Sequence, residues 1–160
     1  MKNLTIIAAV GKNLELGKDN KLIWHFKEDM QFFRDNTINK PIVMGMNTLE
    51  SLPKLLPKRT HIVLTRQNKK LDSSIIVVHS IDELLDYVEK CKTEVMVIGG
   101  ASIYQQLIGY SNKMLLTEID ATASADAYFP KFNKDDWNSE IIGEYEENNI
   151  KYKHLVYIRK

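Results

Sequence analysis

The chain predicts an α/β fold: a single-domain, mixed and mainly parallel β-sheet flanked by helices, with an antiparallel C-terminal edge. Three observations carry this. Short runs apolar at nearly every position, as over 4–10 and 95–98, suit strands covered on both faces. Segments with apolar residues at helical spacing stand between such runs, which makes the crossovers helical and the strands they join parallel. Beyond residue 112 the pattern is strand-rich, with no helical stripe between 137–143 and 150–158.

Residues 4–10 read as a central strand; the run is too short, and too closely followed by polar residues, for a signal peptide. Residues 11–20 are rich in glycine, asparagine, lysine and aspartate and read as a long polar loop of the kind that carries function. A helix is expected over 27–36, because Phe26, Met30 and Phe33 fall at i, i+4 and i+7. Then come a buried strand over 41–45, a short helix over 47–52 ended by Pro53 and Pro57, and strands over 60–65 and 75–78. Residues 80–90 form a helix with Ser80 as N-cap and Glu83 at the capping-box position. The stretch 95–104 is a strand that stops on Gly99-Gly100 and restarts as a helix with Ile103, Tyr104, Leu107 and Ile108 on one stripe and Gly109 as C-cap. Paired glycines there let backbone approach a bound group, and the first free amides of the helix favour an anion. Strands over 113–119, 137–143 and 150–158 complete the antiparallel edge.

At 160 residues and 44% hydrophobic composition the chain is sized for one domain with its own core. Its net charge of +1 offers no electrostatic case for nucleic acid or an anionic membrane. A basic stretch runs from Lys54 to Lys70 with no acid in it, a solvated face or a receiver of a small polyanion. Cys91 is the one cysteine, so no intrachain disulfide can form; a reducing, cytoplasmic setting is expected.

Asp29 lies at i+3 from Phe26 and i−4 from Phe33, which puts a carboxylate on the apolar stripe beside Met30. It serves either the dipole of its helix N-terminus or a ligand, and Glu28 could serve the dipole while staying wet. A buried carboxylate needs hydrogen-bond donors, and a ligand edge with two adjacent N–H groups, such as an amidine or 2-aminopyrimidine, would supply a bidentate partner.

Six segments now align in order: Leu22-Ile23-Trp24-His25-Phe26-Lys27-Glu28-Asp29-Met30, residues 36–45, Thr48-Leu49-Glu50-Ser51-Leu52, Leu56-Pro57-Lys58-Arg59, Val97-Ile98-Gly99-Gly100 and Asp126-Ala127-Tyr128-Phe129-Pro130. Together, over essentially the full length, they resemble bacterial dihydrofolate reductase. The resemblance implies hydride transfer from the nicotinamide of NADPH to C6 of 7,8-dihydrofolate with a proton added at N5, feeding one-carbon metabolism. It also implies sensitivity to antifolate inhibitors and a monomer without nucleic-acid or membrane partners. No metal site is expected.

By the same resemblance Asp29 holds the 2-amino and N3 groups of the pterin and supports protonation of N5 through water. Arg59 pairs with the α-carboxylate of the glutamate tail, with Arg34 and Lys54 adding charge. Ile7, Ala8, Met30, Phe33, Leu52, Leu56, Ile98 and Thr117 line the folate pocket. Residues 16–26 form the loop that closes over the nicotinamide, with Leu22 covering the ring and Trp24 beside it; Ala9 and Tyr104 stand near the reacting carbons. The cofactor set is Ala9, Leu16, Gly17, Asn20, Lys21, Leu22, Gly45, Met46, Asn47, Thr48, Leu64, Thr65, Arg66, His79, Gly99, Gly100, Ala101, Ser102, Ile103 and Tyr104. A cis peptide is implied between Gly99 and Gly100.

The chain departs from its relatives at four positions. The usual Gly-Arg-x-Thr reads Gly45-Met46-Asn47-Thr48, and Ser102 stands where arginine is common, so Arg66, helped by Asn47, Gln67 and His79, is expected to hold the 2′-phosphate of NADPH, with NADH as the alternative cofactor. Ile23 replaces the proline before the tryptophan, which frees a φ angle in the loop. Ala101 stands where a third glycine is frequent, and its methyl fits only at negative φ. Competing readings are a reductase of another pterin-like or ribosylamino-pyrimidine substrate and a catalytically idle ligand-binding module.

Overall fold

In a computed structural model, which describes residues 3–160, the apolar run at the start of the chain becomes β1 (Leu4–Val10). It pairs in parallel with β7 (Val95–Gly99) on one side and β8 (Lys113–Ile119) on the other, so it is covered on both edges and both faces. The remaining strands and α-helices, in order, are β2 (Glu15–Lys18), β3 (Lys21–Leu22), α1 (Lys27–Thr37), β4 (Pro41–Met44), α2 (Met46–Ser51), β5 (Thr60–Leu64), β6 (Ile76–Val78), α3 (Ile81–Lys90), α4 (Ala101–Leu107), β9 (Ala127–Tyr128), β10 (Trp137–Glu147) and β11 (Ile150–Arg159). The main sheet has the order β10-β11-β8-β1-β7-β4-β5-β6. Its pairs from β8 through β6 are parallel, and β8-β11 and β11-β10 are antiparallel, as the fold class predicted.

Because successive strand residues point to opposite faces, the two faces of the sheet carry separate core clusters, and a smaller third one gathers Phe26, Ile119 and Tyr152. Ile6, Ala8, Val97 and Leu116 join one cluster with Ile103, Tyr104 and Leu107 of α4. Ile7, Met96 and Leu115 join the other with Phe33 of α1 and with Leu52, Leu56 and Ile98. At α3, Ser80 Oγ accepts from the Glu83 amide at 3.1 Å, the expected cap; the Glu83 carboxylate reaches one residue further back, to the amide of His79 at 3.0 Å.

Four expectations are corrected. Residues 11–20 are not all loop: β2 pairs with β3 and with β9 in a small three-stranded antiparallel sheet. Its organiser is Glu15, only 1% exposed, whose carboxylate accepts from the amides of Asn13 (2.7 Å) and Ala123 (2.8 Å). Met30 is 61% exposed rather than on the core stripe. The face turned to the sheet carries Asp29, Phe32, Phe33 and the fully buried Thr37, below the buried N-cap Phe26; Met30, about 100° round the helix from Asp29, falls at the margin of that face. Gly109 does not cap α4, which ends at Leu107 and tightens into a 3-10 turn over Ile108–Tyr110. The strand expected over 137–143 continues to Glu147, crossing a bulge between Ile141 and Gly143.

Candidate active site

Asp29 sits in the first turn of α1 with its side chain 19% exposed, placed over the faces of β8 and β11. Its Oδ1 accepts from Thr117 Oγ1 at 2.5 Å and lies 3.2 Å from His154 Nε2. Thr117 was among the expected pocket residues; His154 was not. Its place becomes legible only with the register, which sets His154 opposite Thr117 across the β11–β8 pair. The ring stacks on Phe32 at 3.8 Å and is 2% exposed.

An apolar wall runs from Asp29 along α1. Ile7, Phe33, Leu52, Leu56 and Ile98 belong to one cluster. Ala8 does not join them: it is next to Ile7 in β1, so its methyl packs on the opposite face of the sheet. Past the wall, Arg59 Nε donates to Thr37 Oγ1 at 2.9 Å and Nη1 to the Pro57 carbonyl at 3.0 Å. Burial lowers its pKa, and the nearby positive charge of Arg34 lowers it further. Two guanidiniums held near each other favour an anionic group between them. Lys54 is exposed, and Met30 and Arg34 line a groove with His25, Lys27, Gln31 and Glu147.

At the carboxyl ends of β4 and β7 the chain brings two helix starts together. Gly45 is the N-cap of α2 and Gly100 that of α4, neither start has a side-chain cap, and the Gly45 amide donates to the Gly99 carbonyl at 3.0 Å. The first amides of both helices therefore lack intrahelical acceptors, a donor set that fits a diphosphate. A Cβ on Gly45 would stand 3.0 Å from Ile103 Cγ1. Met46 turns its side chain into the core and offers this start only backbone. Thr48 lies beside Gly100, while Asn47 and Ser102 are exposed.

The Gly99-Gly100 peptide is cis, as the resemblance implied. Gly99 has φ +117°, and a Cβ there would stand 3.2 Å from the Tyr104 ring. Tyr104 is buried and donates its hydroxyl to the Ile7 carbonyl at 2.7 Å; burial, and then the charge of Asp29, pushes its phenol above the usual range. Ala101 is in the first turn of α4 and outside the positive-φ residues, so its methyl is accommodated. At the ends of β5 and β6, His79 Nδ1 lies 2.8 Å from the Thr65 carbonyl, next to exposed Arg66 and downstream of Leu64, whose side chain is buried. Lys69, from the same basic stretch, is held by Glu50 at 3.2 Å.

The segment expected to cover the site is anchored at its back and open at its tip. Leu16 and Gly17 are buried in β2, whereas Asn20 and Lys21 are exposed and Leu22, on β3, is 62% exposed. Trp24 is half-buried and packs with Phe26, Ala9 and Tyr152. The Asp126 amide donates to the Gly17 carbonyl at 3.1 Å, and Asp126 Oδ2 accepts from the Asp19 amide at 3.1 Å. Glu15 adds the third tie. Burial acts to raise its pKa, but the amides of Ala123, Glu15 and Asn13 outweigh it and hold the carboxyl below its ordinary value. A separate cleft lined by Lys12, Glu118, Lys131 and Lys153 includes none of the expected site residues. No group of three or more histidine, cysteine or acidic residues is arranged to hold a metal among the described residues.

Known proteins with this arrangement agree with one another. A family model described as dihydrofolate reductase matches residues 3–159. The chain is 36% identical over 162 residues to dihydrofolate reductase of Buchnera aphidicola subsp. Baizongia pistaciae, covering 99% of this chain and 98% of the relative. It is 36% identical over 160 residues to the Haemophilus influenzae enzyme of the same name, covering 98% of each. Among solved structures, dihydrofolate reductase from Enterococcus faecalis complexed with NADP(H) and RAB-propyl superposes with a TM-score of 0.89 at 30% identity, covering 98% of this chain and 96% of that one. With the fold matched end to end and a family match across nearly every residue, the chain belongs to the dihydrofolate reductase family.

Proposed function

We propose that the chain reduces 7,8-dihydrofolate to 5,6,7,8-tetrahydrofolate, taking a hydride at C6 from NADPH and a proton at N5, as one catalytic domain over 1–160. The observation that carries this is the two-ended pocket. A carboxylate stands at the start of α1, a guanidinium is tied to its last residue, and apolar side chains lie between. Eight residues of helix separate Asp29 from Thr37, roughly 12 Å at the helical rise. Such a pocket suits an elongated ligand with an N–H-rich head, an apolar middle and an anionic tail.

NADPH, when bound, supplies the hydride from its nicotinamide. The uncapped starts of α2 and α4 would hold its diphosphate, with Arg66 and His79 at the 2′-phosphate and Thr48 beside the glycines. On the chain's side, Asp29 binds the 2-amino and N3 edge and sets the electrostatics that favour a proton at N5, delivered by water rather than by direct contact. Arg59 takes the tail carboxylate as a fork, a task a lysine would do less well. Leu22 and Trp24 exclude bulk water, which strengthens the fields acting on the reacting atoms. Tyr104 braces Gly99 and the Ile7 carbonyl where the two ligands meet. The reading extends to a cytoplasmic monomer that supplies one-carbon metabolism and is a target for antifolates; the unpaired Cys91, whose thiol is pushed up by burial, is consistent with a reducing compartment.

Single-turnover loss of NADPH absorbance with dihydrofolate tests this. Asp29→Asn should slow hydride transfer at neutral pH by orders of magnitude while NADPH still binds; an unchanged rate would overturn the assignment.

A further inference from the structure

We propose that His154 is a positioning residue for Asp29: with Thr117 it pins Oδ1 to the sheet, leaves Oδ2 clear of protein donors among the described residues, and so fixes the plane in which the carboxylate meets the two N–H groups of the substrate. The inference rests on Asp29 being the substrate's carboxylate. Thr117 and His154 are direct partners across β8 and β11, so their side chains leave the same face side by side. Both end on one oxygen, at 2.5 and 3.2 Å, and Oδ2 takes no such donor among the described residues. An ionised carboxylate only accepts, so the nitrogen facing it carries the proton; this selects the tautomer of His154 with hydrogen on Nε2.

The ring is in turn fixed. Phe32, one turn after Asp29 on α1, stacks on it at 3.8 Å with an 18° interplanar angle, and Tyr145 of β10 packs against it in a tilted contact at 5.0 Å. Helix and sheet thus hold the donor and the acceptor from opposite sides, which leaves the carboxylate little freedom to rotate about its last torsion. A reacting edge that must meet Asp29 in one orientation gains from that restriction, because loss of alignment at a catalytic group lowers the rate even where binding survives.

The test is the single-turnover hydride-transfer rate with saturating NADPH and dihydrofolate, measured with melting temperature and NADPH affinity. His154→Phe keeps the stack on Phe32 and removes the donor. It should slow transfer about tenfold, the scale of one charge-assisted hydrogen bond, with NADPH affinity unchanged. His154→Gln, which returns an N–H near the position of Nε2, should recover the rate to within about threefold. In the Asp29→Asn background, His154→Phe should change the rate less than about twofold, because the ring acts only through the carboxylate. If His154→Phe does not fold, His154→Met supplies a second donor-free side chain. A donor-free variant within twofold of the unmodified enzyme, or full additivity in the Asp29→Asn background, overturns the proposal. An Asp29→Asn enzyme that transfers hydride normally overturns the Asp29 reading instead.

Discussion

Replacing Glu15 by glutamine changes one oxygen into an amide group and nothing else in size, at a site that is 1% exposed. The native carboxylate accepts from two backbone amides, Asn13 and Ala123. Glutamine has one acceptor oxygen, so one of those partly buried amides is left facing another N–H, and the remaining bond loses its charge assistance. Leaving a buried donor unsatisfied costs about 1–3 kcal/mol, and bonds to a charged group are roughly twice as strong as neutral ones. Because water can reach part of this site, the expected loss is about 1–3 kcal/mol, read by urea unfolding at pH 7. The pH dependence follows from the direction of the shift. The folded-state pKa is lowered, so the contribution of Glu15 is fully present above the unfolded glutamate value, about 4.3, and is lost as pH falls through the lower folded value. The gap between native enzyme and Glu15→Gln should therefore be constant from neutral pH to about 5 and shrink below about 4. A loss under about 0.5 kcal/mol at pH 7, or a gap that does not narrow on acidification, would refute the reasoning.

Arg66→Ala should raise the KM for NADPH much more than that for NADH, because only NADPH carries the 2′-phosphate; equal effects in steady-state assays would move the specificity elsewhere. Gly99→Ala places a Cβ at φ +117° and 3.2 Å from the Tyr104 ring. It should lower stability by about 1–3 kcal/mol, seen as a fall in melting temperature, and should cut hydride transfer more severely by displacing Tyr104 from Ile7.

What the sequence made legible was whatever depended on local periodicity. The apolar run 4–10, the capped helix at Ser80 and the glycine pair at 99–100 each announce their element within a few residues, and the structure places them as expected. The stripe of Phe26, Asp29 and Phe33 does face the sheet, and Met30 alone among its members is exposed. Met30 differs because an apolar residue at the margin of a helical stripe can face either way, which spacing alone does not decide. His154 and Glu15 were missed because each acquires its role from a partner more than a hundred residues away, Asp29 for the one and Ala123 for the other. No window along the chain holds both members of such a pair, and only the register of β11 on β8 brings Thr117 and His154 to one oxygen.

The position of β11 also orders events during synthesis. It lies between β8 and β10 although it follows both in the chain. Until residues 150–159 have left the ribosome, β8 carries an unpaired edge and β10 has no sheet to join, a state open to pairing with other chains. The strand that closes this edge is the one that brings His154 beneath Asp29. Pairing of the β8 edge and the meeting of His154 with Asp29 are therefore one step for the nascent chain.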